Sequence, residues 1–231
     1  MSYKCVFFDL DHTLWDYETN SEETLQELFH SFSLHEKGVS SVDLFCSRFK
    51  ETNLRLWDLY DRDLITSDII RNERFKQILQ PFGEFHQEFL VTLSEEYLKI
   101  CPRKGNLIPD ALETLEYLST KYNLTIITNG FEEIQHIKLS SGKVDHFFDH
   151  IITSQKAGFK KPSKEIFEYA LQLHNIKPHE TIMIGDNLMT DILGARNAAI
   201  EAVYFNPFAV AHTSELVSYE IKSLKDLCTI L

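Results

Sequence analysis

Residues 6–16 read VFFDLDHTLWD. Three apolar residues, Val6, Phe7 and Phe8, run straight into Asp9, and a second carboxylate, Asp11, follows two positions later. Neighbouring carboxylates oppose each other's ionisation, so the pairing gains most where a cation or a reacting group offsets it. Open parallel sheets place their working residues at the carboxyl ends of strands. The rest of the chain is therefore read for other strands that end in polar clusters.

Four follow. After a helical stretch, PDALETLEYLSTKY, the run LTIIT ends in Thr128-Asn129-Gly130. HIITS leads into a loop carrying Lys160-Lys161-Pro162. TIMIG ends in Asp186, with Asp191 five residues later in the next helix, and EAVYFN is a further strand. Amphipathic helices EEIQHIKLSS, SKEIFEYALQLH and LMTDILGARNA separate them, and SLKDLCTIL reads as a closing helix. β-rich apolar runs alternating with helices predict an α/β fold: a Rossmann-like parallel sheet covered on both faces, with right-handed crossovers.

Between the first strand and this region the periodicity is helical. Leu25, Leu28, Phe29 and Phe32 make one apolar face; Phe45, Phe49, Leu56 and Tyr60 a second; Phe75, Ile78, Leu79 and Phe82 a third; Phe85, Phe89, Leu93 and Tyr97 a fourth. Breaks at Gly38, at DRDLITS and at PFGE separate four helices. The expected organisation is a core of residues 1–15 and 102–231, with residues 16–101 inserted as a four-helix bundle.

Composition narrows the function. The chain has 231 residues, 43% of them apolar, which suffices for a large buried core, and its net charge of −12 argues against a nucleic acid polymer as partner. Residues 16–100 hold 9 Lys and Arg against 17 Asp and Glu, so cations for an anionic substrate must be supplied locally. The four cysteines are far apart with no CxxC pair, and the ten histidines form no ligand pattern. Neither a signal-peptide layout nor a run of membrane-spanning length is present. These features predict a soluble cytoplasmic protein with no membrane partner, as a monomer or homodimer.

The strand-end clusters fit phosphoryl transfer through an acyl-phosphate. A carboxylate can attack phosphorus, and a second acid nearby can protonate the leaving oxygen and later activate water. Asp9, Asp186 and a main-chain carbonyl are suitable oxygen ligands for Mg²⁺. The Thr128 hydroxyl and the N–H groups of Asn129 and Gly130 can donate to phosphate oxygens. Lys161 supplies fixed positive charge, and Asp191 is placed to hold Lys161 or a metal-bound water. Singly each motif has an ordinary reading as a turn, a solvated loop or a helix start; the case rests on all four in order.

FFDLDHTL, IITNG, GFKKPSKEIF and MIGDNLMTD resemble the four motifs of the haloacid dehalogenase-like (HAD) hydrolase superfamily, and the resemblance spans the chain. It implies Asp9 as nucleophile, Asp11 as general acid/base and as a Mg²⁺ ligand through its backbone carbonyl, Thr128 as phosphate binder, Lys161 as stabilising lysine and Asp186 as acidic metal ligand. The helical insertion resembles a C1-type cap. The second acid of the DxD pair favours a phosphatase over a dehalogenase. LWDLYDRDLITSDIIRNERF, TNGFEEIQHIKL and KKPSKEIFEYAL are similar to bacterial 5′-nucleotidases acting on pyrimidine nucleoside monophosphates, except that Asp63 stands where the cap turn commonly carries Gly. The implied partner is a small phosphorylated metabolite. Sugar-phosphate phosphatase or phosphomutase activity on the same core is the alternative, and a receiver-like phosphoaccepting domain is the reading from another class. In the insertion, Arg62 is a candidate substrate contact, Arg74 either does likewise or, the favoured reading, pairs with an acid of the same block, and Trp15 and Tyr17 either stack on a base or pack the hinge.

Overall fold

The structure is a computed structural model that describes residues 3–213 and 217–231. The chain divides into two units, one of Met1–Tyr17 with Gly105–Leu231 and one of Glu18–Lys104. The insertion carries four helices, α1 (Tyr17–Ser31), α2 (Val42–Asp61), α3 (Ser67–Leu79) and α4 (Gln87–Ile100). The aromatic stripes meet inside this unit. Phe49 lies 4.8 Å from Tyr97 and 5.8 Å from Phe75, ring centre to ring centre, and Phe45 lies 6.3 Å from both Phe29 and Phe75. Phe32, Tyr60, Phe82, Phe85 and Phe89 are only half-buried, as positions on the margins of such stripes are.

The other unit is built on a parallel sheet of β1 (Cys5–Phe8), β2 (Asn123–Thr128), β3 (His150–Thr153), β4 (Thr181–Gly185), β5 (Glu201–Phe205) and β6 (Tyr219–Ile221), in the order β3-β2-β1-β4-β5-β6. Its helices are α5 (Ala111–Ser119), α6 (Glu132–Ser141), α7 (Ser154–Ala157), α8 (Lys164–His174), α9 (Leu193–Asn197) and α10 (Leu227–Ile230). Every residue of β1 and β4 is buried, which is why these strands read as unbroken apolar runs rather than as alternating ones. Phe7, Ile127, Ile152 and Met183 from the sheet pack with Ile166, Phe167 and Ala170 of α8 and Ala195 of α9 in one buried cluster.

Strand order places the site. β2 and β3 succeed β1 on one side and β4 to β6 on the other, so the chain changes direction between β1 and β4, the switch point beyond whose strand ends open α/β sheets bind ligands. Phe8 is in register with Ile126 of β2 and Ile184 of β4. β1 ends there, whereas β2 runs two residues further, to Thr128, and β4 one, to Gly185, so Asp9, Thr128 and Asp186 stand close together in level at the strand ends.

Two predicted elements take a different form, and β6 is a strand that no sequence pattern marks. SLKDLCTIL forms a 3₁₀ turn, Leu224–Asp226, and the single turn α10 instead of a regular helix. The stretch after β4 opens as a π-helical turn, Leu188–Ile192, before α9, and such turns are frequent at functional sites. Among the described residues no helix is long and apolar enough to cross a membrane.

Candidate active site

The Asp9 N–H donates to the Ile184 carbonyl at 2.9 Å, carrying the β1–β4 ladder one residue past the strand. The chain then turns sharply. His12 takes a left-handed conformation (φ 65°), and the N–H groups of Leu14 and Trp15 both reach back to the Leu10 carbonyl at 2.9 Å. This turn separates the two acids that strand alternation alone would send to one face. The Asp11 carboxylate accepts from the Lys138 ammonium on α6, at 2.6 and 2.7 Å to its two oxygens. Asp9 instead meets Lys161, whose Nζ lies 2.6 Å from Asp9 Oδ1 and 2.6 Å from Asp191 Oδ1.

Lys161 is held from behind. The Asn129 side chain accepts from the Lys161 N–H at 2.8 Å and donates to its carbonyl at 3.0 Å, stapling the loop after α7 to the end of β2. Asp191 is fixed as firmly: its Oδ2 accepts the Asn187 N–H at 3.0 Å, and the π-helical turn buries it. A Cβ on Gly185 would fall 2.3 Å from Asp191 Oδ2, so only glycine at that position allows the carboxylate its approach. Thr13 donates from its hydroxyl to Asp186 Oδ1 at 3.3 Å. At the end of β2 the Gly130 N–H donates to Thr128 Oγ1 at 3.0 Å. This differs from an open N–H awaiting phosphate: the bond uses a lone pair of the hydroxyl and leaves its proton free to point elsewhere.

Carboxylate oxygens of Asp9, Asp186 and Asp191 lie within 4.8 Å of one another. Burial pushes the Asp9 carboxyl up to about 7, Lys161 pulling against that and Asp191 adding to it. Asp186 is raised well above the usual carboxylate range, chiefly by burial and then by Asp9 and Asp191. Burial alone would lower the Lys161 ammonium, but Asp191 and Asp9 outweigh it and hold it raised. With all three carboxylates ionised against one ammonium the site would carry two surplus negative charges, and the upward shifts of Asp9 and Asp186 reflect that surplus, while Asp11 and Lys138 pair with each other. A donor set of oxygens only, with a surplus of two negative charges, suits a hard divalent cation.

Asp9, Thr128, Asn129, Lys161, Asp186 and Asp191 thus stand at the carboxyl ends of β1, β2 and β4 and in the loop beside them. Arg62 lies in the helical unit, largely exposed at the end of α2, paired with Asp58 at 3.1 Å. Arg74 corrects the expected acid pair: its guanidinium is buried, donates to Asn53 Oδ1 at 3.1 Å and faces the rings of Tyr97, Phe49 and Phe75. An aromatic core offers that cation quadrupole faces in place of a carboxylate. Trp15 is wholly buried and packs beneath the Lys138 ammonium, 4.6 Å from ring centre to nitrogen, so it is a packing residue and not an exposed platform. Lys138 escaped the sequence reading. The signal was there: it follows Ile134 by four residues and precedes Leu139, so this lysine sits on the buried face of α6.

A family model described as haloacid dehalogenase-like hydrolase matches residues 3–199. Over 231 residues, spanning 99% of this chain and 95% of the relative, the sequence is 28% identical to the HAD-hydrolase YfnB of Bacillus subtilis. The crystal structure of YfnB bound to magnesium superposes with a TM-score of 0.89 at 27% identity, covering 100% of this chain and 99% of that one. The pyrimidine 5′-nucleotidase PynA of Streptococcus pneumoniae is 30% identical, with 100% of this chain and 96% of PynA aligned. A glyceraldehyde 3-phosphate phosphatase of Pyrococcus furiosus is 29% identical over 99% of this chain and 92% of its own length.

Proposed function

Since the chain belongs to the haloacid dehalogenase-like hydrolases, we propose that it is a Mg²⁺-dependent phosphomonoesterase that works through an aspartyl-phosphate on small phosphometabolites, with nucleoside 5′-monophosphates as its substrate class. The observation that carries this reading is the Lys161 ammonium seated 2.6 Å from both Asp9 and Asp191, beside a carboxylate cluster completed by Asp186. Asp9, Asp186 and the Asp11 carbonyl would hold the Mg²⁺, which when bound neutralises the anions and draws charge from the phosphoryl oxygens.

Asp9 attacks phosphorus through Oδ2, the oxygen Lys161 does not touch, and the bond to the leaving oxygen breaks as Asp11 delivers a proton to it. Water then attacks the phosphoryl group, Asp11 takes its proton, and the Asp9–phosphorus bond breaks to release phosphate. Lys161 stays protonated throughout, orienting Asp9 and countering charge on the transferring group. Thr128 directs its hydroxyl proton to a phosphoryl oxygen, and Asn129 keeps the Lys161 loop in register. In this reading Asp191 positions Lys161, and Arg62 is a cap residue that contacts substrate.

PynA supports the nucleotide assignment, and the Pyrococcus phosphatase supports a second reading with a small sugar phosphate as substrate. A panel of phosphate monoesters assayed with Mg²⁺ decides between them; fastest turnover of triose or hexose phosphates defeats the nucleotide reading. Asp9→Asn should lower turnover by about 10⁴-fold or more, as loss of a nucleophile does, in a protein that melts like the parent. Retained turnover in that variant overturns the mechanism.

A further inference from the structure

The two acids after β1 are served by different cations. Lys161 takes Asp9, while Lys138, one turn before the end of α6, takes both oxygens of Asp11. The Lys138 side chain is 7% exposed and that of Asp11 is 25% exposed, so the lysine is the fixed partner and the carboxylate is the one that faces outward. The ammonium is enclosed on its remaining sides, with the Trp15 ring centre at 4.6 Å and that of Tyr17 at 5.9 Å. Trp15 is itself pinned by its N–H to the Leu10 carbonyl at 2.9 Å. A cation held between an indole face and a bidentate carboxylate has little freedom, and it sets the rotamer of the acid it holds.

We infer that Lys138 is a positioning residue for Asp11, fixing that carboxylate in the place and orientation from which it takes the proton of the water that hydrolyses the aspartyl-phosphate. This rests on the role given to Asp11 above and adds a residue that none of the four motifs contains. In the step concerned the water oxygen forms its bond to phosphorus, its proton passes to Asp11, and the electron pair of the breaking O–P bond returns to Asp9. Lys138 remains an ammonium and exchanges no proton. A bare structural tie between α6 and the β1 turn would look alike in a static view, so the test must read one chemical step apart from the other.

p-Nitrophenyl phosphate separates them, because its leaving group departs without help from an acid. With the full chain and Mg²⁺, Lys138→Met should lower kcat by about 10- to 100-fold, part of what a well-placed proton acceptor contributes, while kcat/KM stays within about threefold because hydrolysis follows the first irreversible step. Stopped-flow mixing should then show a burst of about one equivalent of p-nitrophenolate per site, and Lys138→Arg should restore most of kcat. Equal falls in kcat and kcat/KM without a burst, or an unchanged kcat, overturn the inference. If Lys138→Met does not fold, as judged by its melting curve, Lys138→Gln carries the same measurement. Asp11→Asn distinguishes the two levels of failure: a burst in Asp11→Asn beside parental kinetics in Lys138→Met removes Lys138 alone, whereas parental kinetics in Asp11→Asn removes the role of Asp11 itself.

Discussion

Each unit buries a long cationic side chain to the same 2% exposure, Lys161 in the sheet unit and Arg74 in the helical unit, and surrounds it differently. Lys161 bonds two carboxylates and lies beside a third, so its surroundings carry more negative charge than it neutralises. Arg74 has one amide partner, Asn53, and three ring faces, Tyr97 at 4.5 Å, Phe49 at 5.1 Å and Phe75 at 5.6 Å, and its Nε and Nη2 have no hydrogen-bond partner. Nothing in the helical core repays a mobile charge, and the cation is absorbed into packing. At the carboxyl ends of β1 and β4 the imbalance persists, because packing that cancelled it would leave no charge for a cation to meet. Surplus charge in a buried place is thus the better guide to chemistry than burial of a charge as such.

The same replacement in both places puts the largest strain on this contrast. Lys161→Met leaves Asp9 and Asp191 buried without their counter-charge and should cost about 3–5 kcal/mol of stability in metal-free buffer at pH 8, as well as turnover. Arg74→Met loses cation–π contact and one hydrogen bond, together about 2–3 kcal/mol. It also removes two unsatisfied donors whose burial costs about 1–3 kcal/mol each. The net change for Arg74→Met should therefore run from about 1 kcal/mol of lost stability to a gain of about 4 kcal/mol, never a loss as large as that of Lys161→Met. Urea denaturation of both variants measures the difference, and an Arg74→Met variant that loses more stability than Lys161→Met would break the comparison.

A second effect sharpens it through pH. Burial raises the Asp9 carboxyl in the folded chain from its ordinary 3.8 to about 7. A raised carboxyl contributes stability that is complete below the unfolded value and is lost as pH climbs through the folded one. Metal-free protein should therefore lose stability between pH 4 and 8, by up to about 1.4 kcal/mol per pH unit for one whole proton. Saturating Mg²⁺ should flatten that slope, because a bound cation favours the ionised carboxylates. Melting curves from pH 5 to 8, with a chelator and with Mg²⁺, read the effect. Identical slopes in both series would show that the acids at the ends of β1 and β4 do not share a cation.

The two units also differ in how far the sequence exposes them. In the sheet unit five strands are legible because each is an apolar run closed by polar residues, and Asp9, Thr128, Lys161, Asp186 and Asp191 are legible because they stand where those runs close. β6 is not: it has three residues, pairs with β5 alone, and two of its residues are exposed, so neither an apolar run nor an alternation marks it. The helical unit's core is legible from spacing, but Arg74 is misread because periodicity locates a charge on a buried face without naming its partner. Lys138 escaped for the related reason that its partner, Asp11, is 127 positions away in the chain. Tertiary pairing of this kind leaves no trace in local pattern, and neither does the closeness of Gly185 to Asp191.

The smallest test concerns backbone conformation. Both units use a non-glycine residue in the left-handed region beside a key turn, His12 (φ 65°) between Asp11 and Thr13, and Asp63 (φ 61°) after α2. The φ of Asp63 lies where glycine is accommodated without strain, the reason glycine suits such a turn. Aspartate reaches this region more easily than most residues because its short polar side chain can bond locally. Asp63→Gly removes the left-handed cost but adds chain entropy to the unfolded state, so it should stabilise by only about 0.5 kcal/mol. Asp63→Val, with a branched side chain forced to the same φ, should destabilise by about 1–3 kcal/mol. The separation between these two variants, read from urea denaturation, isolates the backbone term, because both remove the same carboxylate. If valine and glycine prove equally stable there, the turn relaxes at no cost, and the departure at residue 63 leaves the loop after α2 free to take another shape.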